Sequence, residues 1–250
     1  MPAALSVNLN KIALLRNSRG RNVPSLLDYV DRTVAAGAHG ITLHPRLDQR
    51  HVRFDDVPAV AEHLRAHHPG IELNIECEDD ASLIDLVCDV RPDQCTLVPV
   101  SPGEVTSDHG WTLPDDTPRL ERALRRLLDA GVRTSGFVDC IPDRVAAFAS
   151  LGMDRVELYT GPYAWAWTPG PRTPETDAVW ATAAAAREVG LGLNAGHDLD
   201  RTNLAGLCEV PGLAEVSIGH ALVGRALEVS FAVAVRELLD ALGWDQRQTR

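Results

Sequence analysis

Along this chain the apolar residues change spacing again and again, from short clustered runs to helical periodicity, through eight rounds. The clustered runs are LSVNLN (5–10), GITLHP (40–45), IELNIEC (71–77), QCTLVPV (94–100), RTSGFVD (133–139), RVELYT (155–160), LGLNAG (191–196) and EVSIGH (215–220). Each is four to seven residues long and bounded by Gly, Pro or polar clusters, which predicts buried parallel strands. Between them lie helical patterns: 24–37, 57–68, 81–90, 119–131, 143–152, 175–190 and a long final stretch over 221–243, with a short seventh helix over 202–210. Several end in Ala-Gly or Val-Gly, the signature of a helix stopped at a C-terminal glycine. Eight strand–helix repeats in 250 residues predict one α/β domain over residues 1–250, a closed (β/α)8 TIM barrel. A doubly wound open sheet is the alternative.

A barrel makes a demand on the sequence: functional groups gather at the C-terminal ends of the strands and on the loops that follow, and the strand starts should be featureless. The first strand ends in Asn8 and Asn10, followed by Lys11; the second in His44 and Arg46; the third in Glu76 and Glu78. Asp139, Glu157 with Tyr159, Asn194 with His197, and His220 close strands five to eight. The connections KIALLRNSRGRN (11–22), RLDQRHVRFDD (46–56), SPGEVTSDHGWTLPDDTP (101–118) and GPYAWAWTPGPRTP (161–174) are long or rich in Gly and Pro. They read as binding loops or lids on that same face.

Charge narrows the partners. A net charge of -11 leaves no basic face for nucleic acid or an anionic membrane. No apolar run reaches transmembrane length, and MPAALSVNLNK lacks a signal-peptide core, so a cytoplasmic protein is expected. The five cysteines form no CxxC pair, as expected of reduced, buried thiols.

His44, Glu76 and His197 form an acid–base set able to pass protons near neutral pH. The same histidines and glutamate could instead hold zinc or iron. Against that stand the absence of HxH or HxxE spacing and the cation Arg46 beside His44, so no metal is expected. His63, His67 and His68, on the second helix and its end, read as satisfied or solvated structural residues. NAGHDL (194–199) and IGHALVG (218–224) are each a strand end, then Gly-His, then a helix start, the place where barrels commonly bind phosphate. Arg19, Arg46 and Arg50 could anchor a second anion. No GxGxxG or GxxxxGK[ST] occurs. The expected ligands are therefore phosphorylated small molecules.

As a set, VNLNKIALLRNSRG, GITLHPRLDQRHV, LNIE, LVPVSPGEVTS, VELYTGPYA, LGLNAGHDL and IGHALVGRAL resemble the pyridoxine 5′-phosphate synthase family in order and spacing. The resemblance implies a (β/α)8 barrel assembling into an octamer. It also implies condensation of 3-amino-2-oxopropyl phosphate with 1-deoxy-D-xylulose 5-phosphate, releasing phosphate and water, with no metal or organic cofactor. By position, it makes His44 and Glu76 the acid–base residues for the amino ketone and ring closure, and His197 the residue on the sugar-phosphate side. Arg19 and Arg46 become phosphate clamps, and Thr106 part of a closing loop. Glu157 becomes a pocket carboxylate, Gly219 and His220 backbone phosphate contacts, and Asn8, Asn10, His51 and Asp198 further substrate-binding positions.

The chain departs from the family pattern in places. Asn10-Lys11 replaces Asp-His, Leu47 replaces a glutamate, Tyr159 replaces a histidine and Asp198 replaces a glycine. Trp111, Trp165 and Trp167 add bulk to the loops, as lid, packing or substrate contacts. Two other readings fit the same residues. One is a relative condensing a different amino ketone and carbonyl pair; the other is a metabolite-binding barrel without catalysis.

Overall fold

In the computed structural model, which describes residues 1–101 and 103–244, eight parallel strands close into a barrel in strict chain order. They are β1 (Ala4–Asn8), β2 (Gly40–Leu43), β3 (Glu72–Cys77), β4 (Gln94–Leu97), β5 (Arg133–Asp139), β6 (Arg155–Tyr159), β7 (Gly192–Gly196) and β8 (Leu213–Ile218). β8 returns to pair with β1 in the register Leu5↔Val216 and Val7↔Ile218, so no strand edge remains open. The expected barrel is the observed fold, and the open sheet is excluded.

Around it run α1 (Asn10–Asn17), α2 (Leu26–Ala35), α3 (Asp56–His67), α4 (Ala81–Val90), α5 (Thr117–Asp129), α6 (Pro142–Ser150), α7 (Gly161–Ala166), α8 (Pro174–Glu188), α9 (His220–Ala226) and α10 (Phe231–Leu242). Four segments correct the sequence reading, one of them the loop 161–174, whose first six residues form α7. KIALLRNSRGRN is helical rather than a loop over most of its length. Leu9, Ile12, Ala13 and Arg16 are buried at i, i+3, i+4 and i+7, a helical face hidden in a polar-looking stretch. The stretch 221–243 is two helices, because the Ser230 side chain accepts from Val233 N–H and starts a new one. Residues 202–210 supply only a 3-10 turn, Asn203–Gly206.

The main correction concerns the barrel interior. Outward-facing strand residues such as Leu5, Val7, Ile41, Leu43, Leu73, Ile75, Cys95, Leu97, Val156 and Leu158 are buried against the helices, and this shell is the hydrophobic core. Most of the alternate, inward-facing positions are polar, with Phe137 an apolar exception packed on Tyr159. Asn194 Nδ2 reaches Gln94 Oε1 at 3.4 Å and Thr96 Oγ1 reaches Glu157 Oε2 at 3.5 Å. These pairs belong to strands that are not neighbours in the wall, so the bonds run through the barrel's centre. At the strand starts, Arg133 bonds Glu72 and, at 3.0 Å, Gln94, while Arg155 bonds Asn194 at 3.0 Å. The strand starts are therefore charged, not featureless. Each charge is tolerated there because an opposite charge or an amide meets it.

Candidate active site

At the C-terminal rim, Asn8, Asn10, His44 and Glu76 link the ends of three strands. Asn10 opens α1 directly after β1 and its Oδ1 accepts the His44 backbone N–H at 2.9 Å. Asn8 Oδ1 accepts the Asn10 N–H at 3.0 Å, and Asn8 Nδ2 donates to Glu76 Oε2 at 3.3 Å. The same Glu76 oxygen lies 3.4 Å from His44 Nδ1, within ion-pair range although not aligned as a hydrogen bond. His44 is 7% exposed, and its Nε2 is buried with no partner among the described residues. With a carboxylate at Nδ1, Nε2 is the atom left to meet a substrate. Asn10 thus keeps the accepting oxygen that an aspartate would supply there.

His51 lies beside this group, its ring 6.0 Å from that of His44. Its Nδ1 accepts the Val52 N–H at 2.9 Å, which leaves the proton on Nε2. Burial, with the nearby charges of His44, Arg46, Lys11 and Arg50, lowers its pKa to about 3, so the ring is a neutral donor at pH 7. Arg46 is 5% exposed. Arg50 does not wait for an anion. It pairs with Asp48 at 2.6 Å and donates to the backbone carbonyls of Glu104 and Val105 at 3.2 and 3.3 Å, tying the second loop to the fourth.

Across the rim, β7 ends in a strained turn. His197 and Asp198 have φ of 86° and 58°, both in the left-handed region that non-glycine residues seldom occupy. Two side chains hold the turn. The buried Thr160 hydroxyl lies 2.6 Å from Gly196 O and 2.7 Å from His197 O, and Asn203 Nδ2 donates to Asp198 O at 3.0 Å. The His197 ring meets Tyr159 edge to face, with centroids 5.1 Å apart. Its Nδ1 sits 3.2 Å from Asp198 Oδ2, close enough for attraction but without hydrogen-bond alignment. The carboxylate at position 198 therefore turns toward its own neighbouring histidine.

Glu157 lies between the two groups. An added Cβ at Gly196 would collide with its carboxylate, so a larger residue there would displace Glu157. Burial, then the Glu76 and Glu215 carboxylates, push Glu157 well above the usual carboxyl range. Gly219 is similarly confined, since a Cβ there would lie 2.8 Å from Asn8 O.

The structure thus brings Asn8, Asn10, His44, Arg46, His51 and Glu76 into one group, and Glu157, His197 and Asp198 into a second around β6 and β7. Arg19, just beyond α1, and Thr106, in the fourth loop, are exposed and make no described side-chain contact with either. His220 is exposed at the start of α9. Trp111 is no lid residue: it is fully buried and its Nε1 donates to Leu97 O at 2.8 Å. Trp165 is 70% exposed. Sequence reasoning missed Thr160 and Asn203, which carry no catalytic signature. It also missed Glu215, whose signal was the polar phase alternating through the strands.

Residues 5–243 match the family model described as pyridoxal phosphate biosynthesis protein PdxJ. The chain is 46% identical over 245 residues to a pyridoxine 5′-phosphate synthase of Albidiferax ferrireducens, covering 96% of this chain and 97% of that one. It is 47% identical over 255 residues to the pyridoxine 5′-phosphate synthase of Xanthomonas oryzae pv. oryzae, covering 98% and 99%. Among solved structures, an HMG-CoA lyase from Brucella melitensis superposes with a TM-score of 0.62 at 19% identity, covering 98% of this chain and 93% of that one, a likeness of fold alone. Matched along almost its whole length by both the family model and these relatives, the chain belongs to the PdxJ family.

Proposed function

We propose that this protein is a pyridoxine 5′-phosphate synthase, condensing 3-amino-2-oxopropyl phosphate with 1-deoxy-D-xylulose 5-phosphate in vitamin B6 biosynthesis. The observation that carries the reading is the placement of His44 and Glu76 on one side of the rim and His197 on the other, in a chain 47% identical to enzymes of that name.

Imine formation, phosphate loss, water addition and ring closure make and break bonds on bound phosphate esters with a proton moved at each step, and they need several acid–base groups in a shielded site. In this reading His44 acts through Nε2, with Glu76 orienting the ring and stabilising its charged form. Glu157, whose carboxyl burial pushes well above the usual range, gives or takes a proton beside Glu76. His197 acts on the sugar phosphate, its ring fixed by Tyr159 and by the clamped turn. Arg46 and His51 meet one phosphate. The N–H groups at Asp198, Gly219 and His220 meet the other, and Arg19 and Thr106 join when the loops close. Asn8 and Asn10 hold the His44 side together. Assembly into a homo-oligomer, an octamer as in the resembled family, belongs to the same proposal.

Mixing the protein with both substrates and following pyridoxine 5′-phosphate by absorbance, with phosphate release in parallel, tests the reading. Equal formation of the two products supports it. Phosphate release without pyridine formation, or no reaction, refutes it.

A further inference from the structure

Three side chains converge on the outer wall of the barrel, away from the catalytic rim. α2 and α3 both run from the rim toward the strand-start end, and the C-terminal end of α3 lies just before β3. There His63 Nε2 and His68 Nε2 approach the same carboxylate oxygen, Asp31 Oδ1, at 2.6 and 2.7 Å. All three donor atoms lie within 4.8 Å of one another. The side chains of His63 and His68 are 18% and 23% exposed and that of Asp31 is 51% exposed, so the cluster is anchored yet open to solvent. His67 stands one helical turn beyond His63, with ring centroids 4.7 Å apart. This is the i, i+4 spacing that puts two imidazoles on one helix face.

We propose that Asp31, His63 and His68 form a binding site for a divalent transition-metal ion of the zinc class, with His67 within reach as a fourth donor. Two imidazoles and a carboxylate are the donor set that zinc takes, and they leave room for water or a further histidine. Without metal, both rings must donate an Nε2 proton to one oxygen. For the ion to bind at Nε2, each neutral ring carries its proton on Nδ1 instead. Ligand bonds of about 2.0–2.1 Å at tetrahedral angles hold donor atoms about 3.3 Å apart, so each Nε2 moves less than about 1 Å away from Asp31 Oδ1, which partly exposed side chains allow. Bound there, the ion bridges α2 and α3 and stabilises the barrel wall without touching the reacting groups.

The test is titration of the untagged full chain with Co2+ and then Zn2+. One equivalent of Co2+ is expected to give visible d–d absorption that Zn2+ abolishes, with affinity at least about tenfold weaker in Asp31→Asn and in His63→Ala. Zn2+ is expected to raise the melting temperature of the unsubstituted protein and not of the variants. X-ray absorption of the zinc-loaded unsubstituted protein covers the case of a variant that fails to fold: two or more imidazoles at about 2.0 Å are expected. Failure of the unsubstituted protein to take up zinc, uptake unchanged in both variants, or sulfur ligands in the absorption spectrum would overturn the proposal.

Discussion

His44 Nδ1 and Glu76 Oε2 stand 3.4 Å apart on neighbouring strands, and neither is held there by that contact alone. Asn8 donates to the same glutamate oxygen, while Asn10 accepts from the His44 backbone. The first strand and its helix therefore set the position of an acid–base pair built on the second and third.

Replacing Asn10 by Ala leaves the buried His44 N–H without its acceptor. A loss of about 1–3 kcal/mol is expected, measured by urea unfolding, together with reduced turnover. Asn10→Asp restores an accepting oxygen and should recover most of that stability. Equal losses in both variants would show that the hydrogen bond does not matter.

Thr160 holds the strained turn through the carbonyls of Gly196 and His197. Thr160→Val keeps the shape and removes the hydroxyl. Turnover should fall by about ten- to a hundredfold as His197 drifts from its working position, with about 1–3 kcal/mol lost in stability. Steady-state kinetics beside thermal unfolding separates the two effects, and the fall should appear in kcat more than in KM.

Asp198 already has φ of 58°, so Asp198→Gly costs no backbone rearrangement. Two like charges about 4 Å apart repel by roughly 4 kcal/mol at an effective dielectric of 20. Removing the carboxylate should therefore lower KM for the sugar phosphate by up to about a thousandfold. Because Asp198 also faces His197 Nδ1, the same change should lower kcat. A KM that does not move would show that the carboxylate turns away from the phosphate.

Burial, then the charge of Glu72, raises the Glu215 pKa to about 8, with Arg155 pulling the other way. A carboxyl whose folded pKa lies above its unfolded value holds its proton in the native state between about 4.5 and 8. Its contribution to stability is thus lost as pH rises through that window. Glu215→Gln should flatten the slope, leaving the variant at least as stable as the parent at pH 8.5 and closer to it, or below it, at pH 5. Denaturant midpoints across this range read the difference. A variant less stable by the same amount at both values would contradict the assignment.

The barrel was legible because apolar runs and helical periods alternate eight times, and His44, Glu76 and His197 because they end strands. What stayed hidden was of two kinds. The strands read as uniformly buried runs, yet Glu72, Asn74 and Glu76 share one phase and Leu73, Ile75 and Cys77 the other, as a polar interior requires. The second kind is support made by ordinary residues. Thr160 and Asn203 matter through where their oxygen and amide arrive, Arg50 by reaching another loop, and Trp111 by folding into the core; no spacing along the chain announces such contacts. Helical detail escaped for local reasons: α1 because its buried face includes Arg16, α7 because it is one short turn among Gly and Pro, and the break before α10 because one serine cap interrupts an unbroken apolar pattern.

The central claim, that His44 and Glu76 act as one unit in a pyridine-forming condensation, is tested most directly by single-turnover formation of pyridoxine 5′-phosphate. The measurement compares the unsubstituted protein, His44→Ala, Glu76→Gln and the double variant. The account expects product from the unsubstituted protein, a loss of about 10²-fold or more in each single variant, and little further loss in the double. No product from the unsubstituted protein, or losses that multiply in the double variant, would contradict it.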